Sequence, residues 1–149
     1  MAAADPDALL FCNDAEVKTY DAKADAVAAM VQDFRRRGVP IDGVGLQLHQ
    51  GAPNFDVDRI RRAIGRCAAL GVQLHITELD VPLRVDPEGG VIDPQDLVRQ
   101  AEAYRKVALA CVEQSACRAL QTWGFTDRYS WVRSHSKGAP GGSASLRSE

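Results

Sequence analysis

The sequence predicts an α/β fold of parallel βα units. Four short apolar runs alternate with three amphipathic helical patterns, and each helical pattern carries its own start and stop residues. The first run, Leu9 to Asn13, reads as a strand. Val27, Met30, Val31 and Phe34 then repeat at the spacing of a helix face, with Asp21 as N-cap and Gly38 as the stop. Val44 to His49 is the second strand, and Val57, Ile60, Ile64 and Cys67 form a second helix face that ends at Gly71. Val72 to Glu78 is the third strand. Asp93-Pro94 opens the third helix, a cap followed by proline at the first helical position, with Leu97, Ala101, Tyr104, Ala108 and Cys111 as its apolar face. Ala119 to Trp123 is the fourth strand. Parallel crossovers are right-handed, so the strands should lie in chain order in one twisted sheet with the helices on one side. A closed TIM (β/α)8 barrel takes about 250 residues and eight such units. This chain of 149 residues has the count of half a barrel, about four parallel strands and three helices. Such a half leaves its inner face and two strand edges uncovered, which invites association.

With 46% hydrophobic and 26% charged residues and a formal net charge of -2, the chain has the composition of a domain that buries a real core. Its basic residues are scattered. Arg35-Arg36-Arg37 falls at a helix C-terminus, where positive charge suits the macrodipole, so no nucleic-acid partner is expected. No apolar stretch approaches the roughly 20 residues that span a bilayer, so no membrane partner is expected either. Met1 to Asp5 lacks the basic and hydrophobic regions of a signal peptide. Cys12, Cys67, Cys111 and Cys117 show neither zinc-site pairs nor the density of a disulfide scaffold, so no metal is expected. Cys12 and Cys67 read as small core residues. Cys111 and Cys117 bracket the end of one helix and the start of the next strand, close enough for one local bridge, which would imply an oxidising compartment. Residues 1–133 read as the domain, and 134–149, with almost no apolar residue to offset the entropy of ordering, as a disordered polar tail.

The chemistry gathers at strand ends, where α/β sheets bind ligands. In Ile76-Thr77-Glu78-Leu79-Asp80 two carboxylates stand two residues apart where a strand gives way to a loop, so Glu78 and Asp80 project together while Leu79 points away. Gln47 and His49 share the face opposite Val44, Leu46 and Leu48. His75, mid-strand, reads as structural. The fourth strand delivers Trp123-Gly124, then Asp127 and Trp131, so both tryptophans of the chain fall at one strand end. Two indoles beside a glutamine, a histidine and two acids suit a sugar, whose apolar C–H faces stack on aromatic rings while its hydroxyls need polar partners.

Asn13-Asp14, then Gly43-Val44-Gly45-Leu46-Gln47-Leu48-His49, then Ile76-Thr77-Glu78-Leu79-Asp80, then Thr122-Trp123-Gly124-Phe125-Thr126-Asp127 and Ser130-Trp131 resemble, in order and spacing, the second half of a glycoside hydrolase family 10 endo-1,4-β-xylanase. The match covers roughly residues 5 to 132. The resemblance implies the C-terminal half of a TIM barrel, the fifth through eighth strands, and cleavage of β-1,4-xylan with retention of configuration. By it Glu78 takes the position of the catalytic nucleophile, and His49 and Asp80 match residues that bond around that nucleophile. Asn13, Gln47, Trp123 and Trp131 fall in the substrate-binding set. A nucleophilic carboxylate must be deprotonated, and hydrogen-bond donors beside it favour that form. The Cys111 and Cys117 spacing also resembles a bridge in secreted family members. The family is mostly secreted, although this chain shows no signal peptide.

Retaining glycosidases use two carboxyl groups about 5–5.5 Å apart. The resemblance puts the acid/base glutamate on a fourth strand that precedes this chain. Glu16 and Glu88 are the substitutes by residue type, but neither matches the motif, and Ala15 stands where the family usually carries an aromatic. The chain therefore reads as a xylanase fragment that carries the nucleophile and lacks the acid/base strand. Its partners are xylan or a xylo-oligosaccharide, and either a second copy through the open edges or the missing N-terminal half. The alternative is a non-catalytic carbohydrate-binding remnant. A doubly wound nucleotide-binding domain fits poorly, because Gly43-Val44-Gly45 lacks the third glycine of the fingerprint. No cofactor is called for, since the chemistry needs only carboxylates and water.

Overall fold

The computed structural model describes residues 5–15, 21–51, 56–86, 90–132 and 142–144. In chain order the elements are β1 (Phe11–Ala15), α1 (Asp21–Arg36), β2 (Gly43–Gln47), α2 (Val57–Ala69), β3 (Gln73–Leu79), β4 (Leu83–Val85), α3 (Pro94–Val112), β5 (Cys117–Thr122) and β6 (Gly142–Ala144), with one turn of 3-10 helix at Asp127–Tyr129. Strands β1, β2, β3 and β5 pair in that order in one parallel sheet. The expected βα alternation is present, and the half-barrel count with it. β1 begins at Phe11 rather than Leu9. The Asp42 carboxylate holds the Leu10 N–H at 2.7 Å, and Leu9 is left exposed.

The helices cover one face of the sheet. Ala24, Val27 and Val31 of α1 and Ile60, Ala63, Ile64 and Cys67 of α2 pack on Val44, Leu46, Leu74 and Ile76, all buried. Both helices end as their glycines predict. Gly38 and Gly71 take φ of 69° and 66°, the left-handed region that an L side chain resists. Val39 N–H then bonds back to Phe34 O at 2.8 Å, and Val72 N–H to Cys67 O at 3.1 Å, closing orphan carbonyls of the last turn. Burial pushes the Cys67 thiol up to about 11, as befits a small core residue.

The third helix is rotated from its expected face. Asp96, Ala103, Val107, Ala110 and Cys111 are buried, so of the expected face Cys111 is kept while Ala101 and Ala108 are exposed. Alanines fit either face at little cost, so Val107 and the anchored ends set the rotation. At the N-terminus the Asp93 carboxylate accepts the Gln95 N–H at 2.9 Å. At the other end Cys111 and Cys117 are bridged, with Cα atoms 5.1 Å apart, tying α3 to β5.

The short strand β4 had no signal in the sequence. It pairs antiparallel with β6, Leu83 opposite Ala144 and Val85 opposite Gly142. Strand β6 lies within the stretch 134–149 read as a tail; the remainder of that stretch, with Glu16 and Glu88, lies outside the described residues.

Candidate active site

Simple alternation along β3 would put Glu78 on the same face as Leu74 and Ile76, against the helices. A bulge changes this. Between Ile76 and Leu79 three steps of β3 run against two of β5, because Ile76 pairs with Leu120 and Leu79 with Thr122. Leu79 thereby takes the core side, 1% exposed, and the Glu78 carboxylate is free to meet partners on the inner face.

Those partners come from β1 and from the residues just after β2. Glu78 Oε1 accepts from Asn13 Nδ2 of β1 at 3.0 Å, and Glu78 Oε2 lies 3.1 Å from His49 Nε2 just beyond β2. The other ring nitrogen, His49 Nδ1, is 2.9 Å from Asp80 Oδ2. A neutral imidazole has one N–H to share between two carboxylates, whereas the cation has one for each. Trp131 Nε1 donates to the same Asp80 oxygen at 2.7 Å. Asp80 is fully buried, and its Oδ1 meets no hydrogen-bond partner among the described residues. The backbone locks this register: Asp80 N–H bonds to Leu48 O and Gln50 N–H to Asp80 O, both at 3.2 Å.

The tryptophans frame the histidine. The Trp131 ring meets the His49 ring edge-on at a centroid distance of 4.9 Å, and Trp123 does so at 6.3 Å. The Trp123 backbone N–H donates to Leu79 O at 3.0 Å, holding this residue at the mouth of the sheet with 46% of its surface exposed. Trp123, Gly124, Tyr129, Ser130 and Trp131 line an open cleft of about 300 Å³. Gly124, at φ 94°, makes the turn that brings the second half of this segment back.

Six of the residues singled out from sequence thus gather here: Asn13, His49, Glu78, Asp80, Trp123 and Trp131. Gln47 ends β2, opposite Ala15, two residues before His49 on the face away from the buried Leu46 and Leu48. His75 takes no part in the cluster and stacks against Phe11 at 4.1 Å. Tyr129, Thr77 and Gly45 had no role assigned from sequence. The tyrosine lines the cleft, and the other two flank Asn13. Among the described residues no cluster of three or more His, Cys, Asp or Glu could hold a metal ion. No helix among them is long and apolar enough to cross a membrane.

Four parallel strands and three helices, with carboxylates and aromatics at the C-terminal strand ends, define a segment of a (β/α)8-barrel protein. The model of glycosyl hydrolase family 10 matches residues 2–142, and the chain belongs to that family. The match continues past Trp131, where the motifs end. Endo-1,4-beta-xylanase B of Thermotoga neapolitana is 42% identical over 135 residues, 91% of this chain and 38% of that protein. The native xylanase 10B structure from Thermotoga maritima superposes with a TM-score of 0.85 at 37% identity, over 97% of this chain and 43% of that one. Xylanase 10B of Thermotoga petrophila RKU-1, solved in complex with xylobiose, has the same TM-score and identity over 97% of this chain and 42% of its own. The chain therefore spans about two fifths of the length of the relatives it matches.

Proposed function

We propose that this chain carries the nucleophile half of a retaining endo-1,4-β-xylanase site. The observation that carries the reading is Glu78, nearly buried, with a polar partner on each carboxylate oxygen and with Trp131 and Trp123 edge-on to its His49 neighbour. In the first step a Glu78 oxygen bonds to the anomeric carbon of a xylosyl unit as the glycosidic C–O bond breaks. In the second, water displaces Glu78. Trp123 and Trp131 stack on the sugar and Gln47 meets its hydroxyls. The xylobiose complex of the Thermotoga petrophila relative supports a xylo-oligosaccharide as ligand.

The proton for the leaving oxygen comes from a carboxyl group outside this constellation, because Asp80 is buried and already engaged by His49 and Trp131. The other barrel half, from a second copy or from the first four βα units, covers the open sheet. A leaving group that departs without a proton separates the two roles. Dinitrophenolate is one, so 2,4-dinitrophenyl β-xylobioside should esterify Glu78 even without the acid. Intact-mass analysis should show one xylobiosyl adduct, absent in Glu78→Gln. No adduct on a folded chain sinks the nucleophile assignment.

A second reading has its own observation. The cleft lined by Trp123, Gly124, Tyr129, Ser130 and Trp131 is built of aromatic and small residues, with no carboxylate among them, which suits carbohydrate binding without turnover. Quenching of tryptophan fluorescence by xylotriose, with no adduct from the aryl glycoside, selects that reading.

A further inference from the structure

Asn13 stands on β1 and Glu78 on β3, with β2 between them. Two strand spacings amount to about 9.6 Å, and an intervening side chain on the same face ordinarily blocks any contact across them. Here the intervening residue is Gly45, paired directly with Asn13. A Cβ at Gly45 would sit 2.4 Å from Asn13 Oδ1, 3.0 Å from its Cγ and 3.1 Å from Thr77 Cγ2. The space that glycine leaves empty is the space the asparagine amide occupies. Beyond it, the Thr77 hydroxyl donates to Asn13 Oδ1 at 2.7 Å, while Asn13 Nδ2 donates to Glu78 Oε1 at 3.0 Å. The reversed amide would set an acceptor against the ionised carboxylate.

We propose that Gly45 and Thr77 are positioning residues for the Glu78 carboxylate, the glycine opening a path across β2 and the threonine hydroxyl holding the Asn13 amide with its N–H₂ toward Glu78. Neither touches the sugar. Both act through Asn13, and their effect on the reaction rests on Glu78 being the nucleophile. Without the clamp the carboxylate keeps, among the described residues, its His49 contact alone and samples orientations away from the line of attack.

The test compares Thr77→Val, which keeps the shape and loses the donor, with Thr77→Ser, which keeps the donor, and with Gly45→Ala. Two readouts are taken on the full chain. The first is the Asn13 side-chain NH₂ pair by nitrogen-edited NMR, expected to show one proton shifted downfield and slow to exchange through its bond to Glu78. The second is the rate of xylobiosyl adduct formation from the dinitrophenyl glycoside. The NMR signature should be lost in Thr77→Val and Gly45→Ala and kept in Thr77→Ser. The adduct rate should fall about tenfold in the first two and recover in the third, the order set by one hydrogen bond to a charged group. An unchanged Asn13 signature in Thr77→Val overturns the proposal, as does a Thr77→Ser variant as impaired as Thr77→Val. A wild-type chain that shows the threonine-dependent signature but forms no adduct leaves the clamp standing and removes the nucleophile assignment instead. Should Gly45→Ala fail to fold, the threonine pair decides the matter alone.

Discussion

His75 and His49 show how much a residue's neighbours decide. His75 lies within β3 and His49 just beyond β2, yet His49 is drawn between two carboxylates while His75 packs on the Phe11 ring. Burial, and then the Arg118 charge, hold the His75 imidazole below its ordinary value of 6.5. Its folded form therefore binds a proton less readily than its unfolded form, so the unfolded chain holds more protons as pH falls below about 6.5. Stability contributed by neutral His75 is complete above that value and is lost progressively beneath it. The urea midpoint should fall between pH 7 and pH 5, and His75→Gln should reduce that fall. An undiminished fall in the variant would assign the pH dependence to other groups. Position along the strand, His75 in the middle and His49 at the end, separated them in sequence, whereas the actual partners of both rings come from other strands.

Among the elements, α3 is the instructive one. Its start was legible from Asp93-Pro94, but its buried face was not, because alanines at 101, 103, 108 and 110 give the amphipathic pattern little contrast. The Cys111–Cys117 bridge helps settle which way the helix faces and ties it to β5, an edge of the sheet. Cross-linking across so short a loop is worth about 2 kcal/mol by its entropy in the unfolded chain. Reduction, or the double Cys→Ser variant, should lower the unfolding free energy by about that amount in urea titrations. A loss well under 1 kcal/mol would mean that α3 and β5 are held by packing alone.

For the whole molecule, the governing fact is a parallel sheet that, among the described residues, is covered by helices on one side only. Parallel sheets are ordinarily buried on both faces, and among the described residues β1 and β5 each pair with one strand. A two-fold axis along the barrel would set β5 of one copy beside β1 of the next and close eight strands, hiding both edges. Sedimentation equilibrium should then show mass rising with concentration toward a dimer. Leu120→Lys, on the edge strand β5, should hold the chain as a monomer. A wild-type monomer at every concentration would exclude a self-completed barrel. In such a dimer the two Glu78 carboxylates stand four strands apart, whereas the family's nucleophile and acid stand three apart. Self-association should therefore leave xylan uncleaved.

The sequence by itself determined the βα alternation, the glycine stops of α1 and α2, the Asp93-Pro94 start of α3 and the residue types gathered at the strand ends. These depend on hydrophobic period, caps and glycine, all of them local properties of the chain. Tertiary structure decided what Glu78 faces, because a bulge against β5 reverses the alternation that β3 alone would follow. It also decided that Asn13 reaches Glu78 across a strand, through the gap at Gly45 and under the hold of Thr77. That contact joins residues 65 positions apart, and no local pattern encodes it.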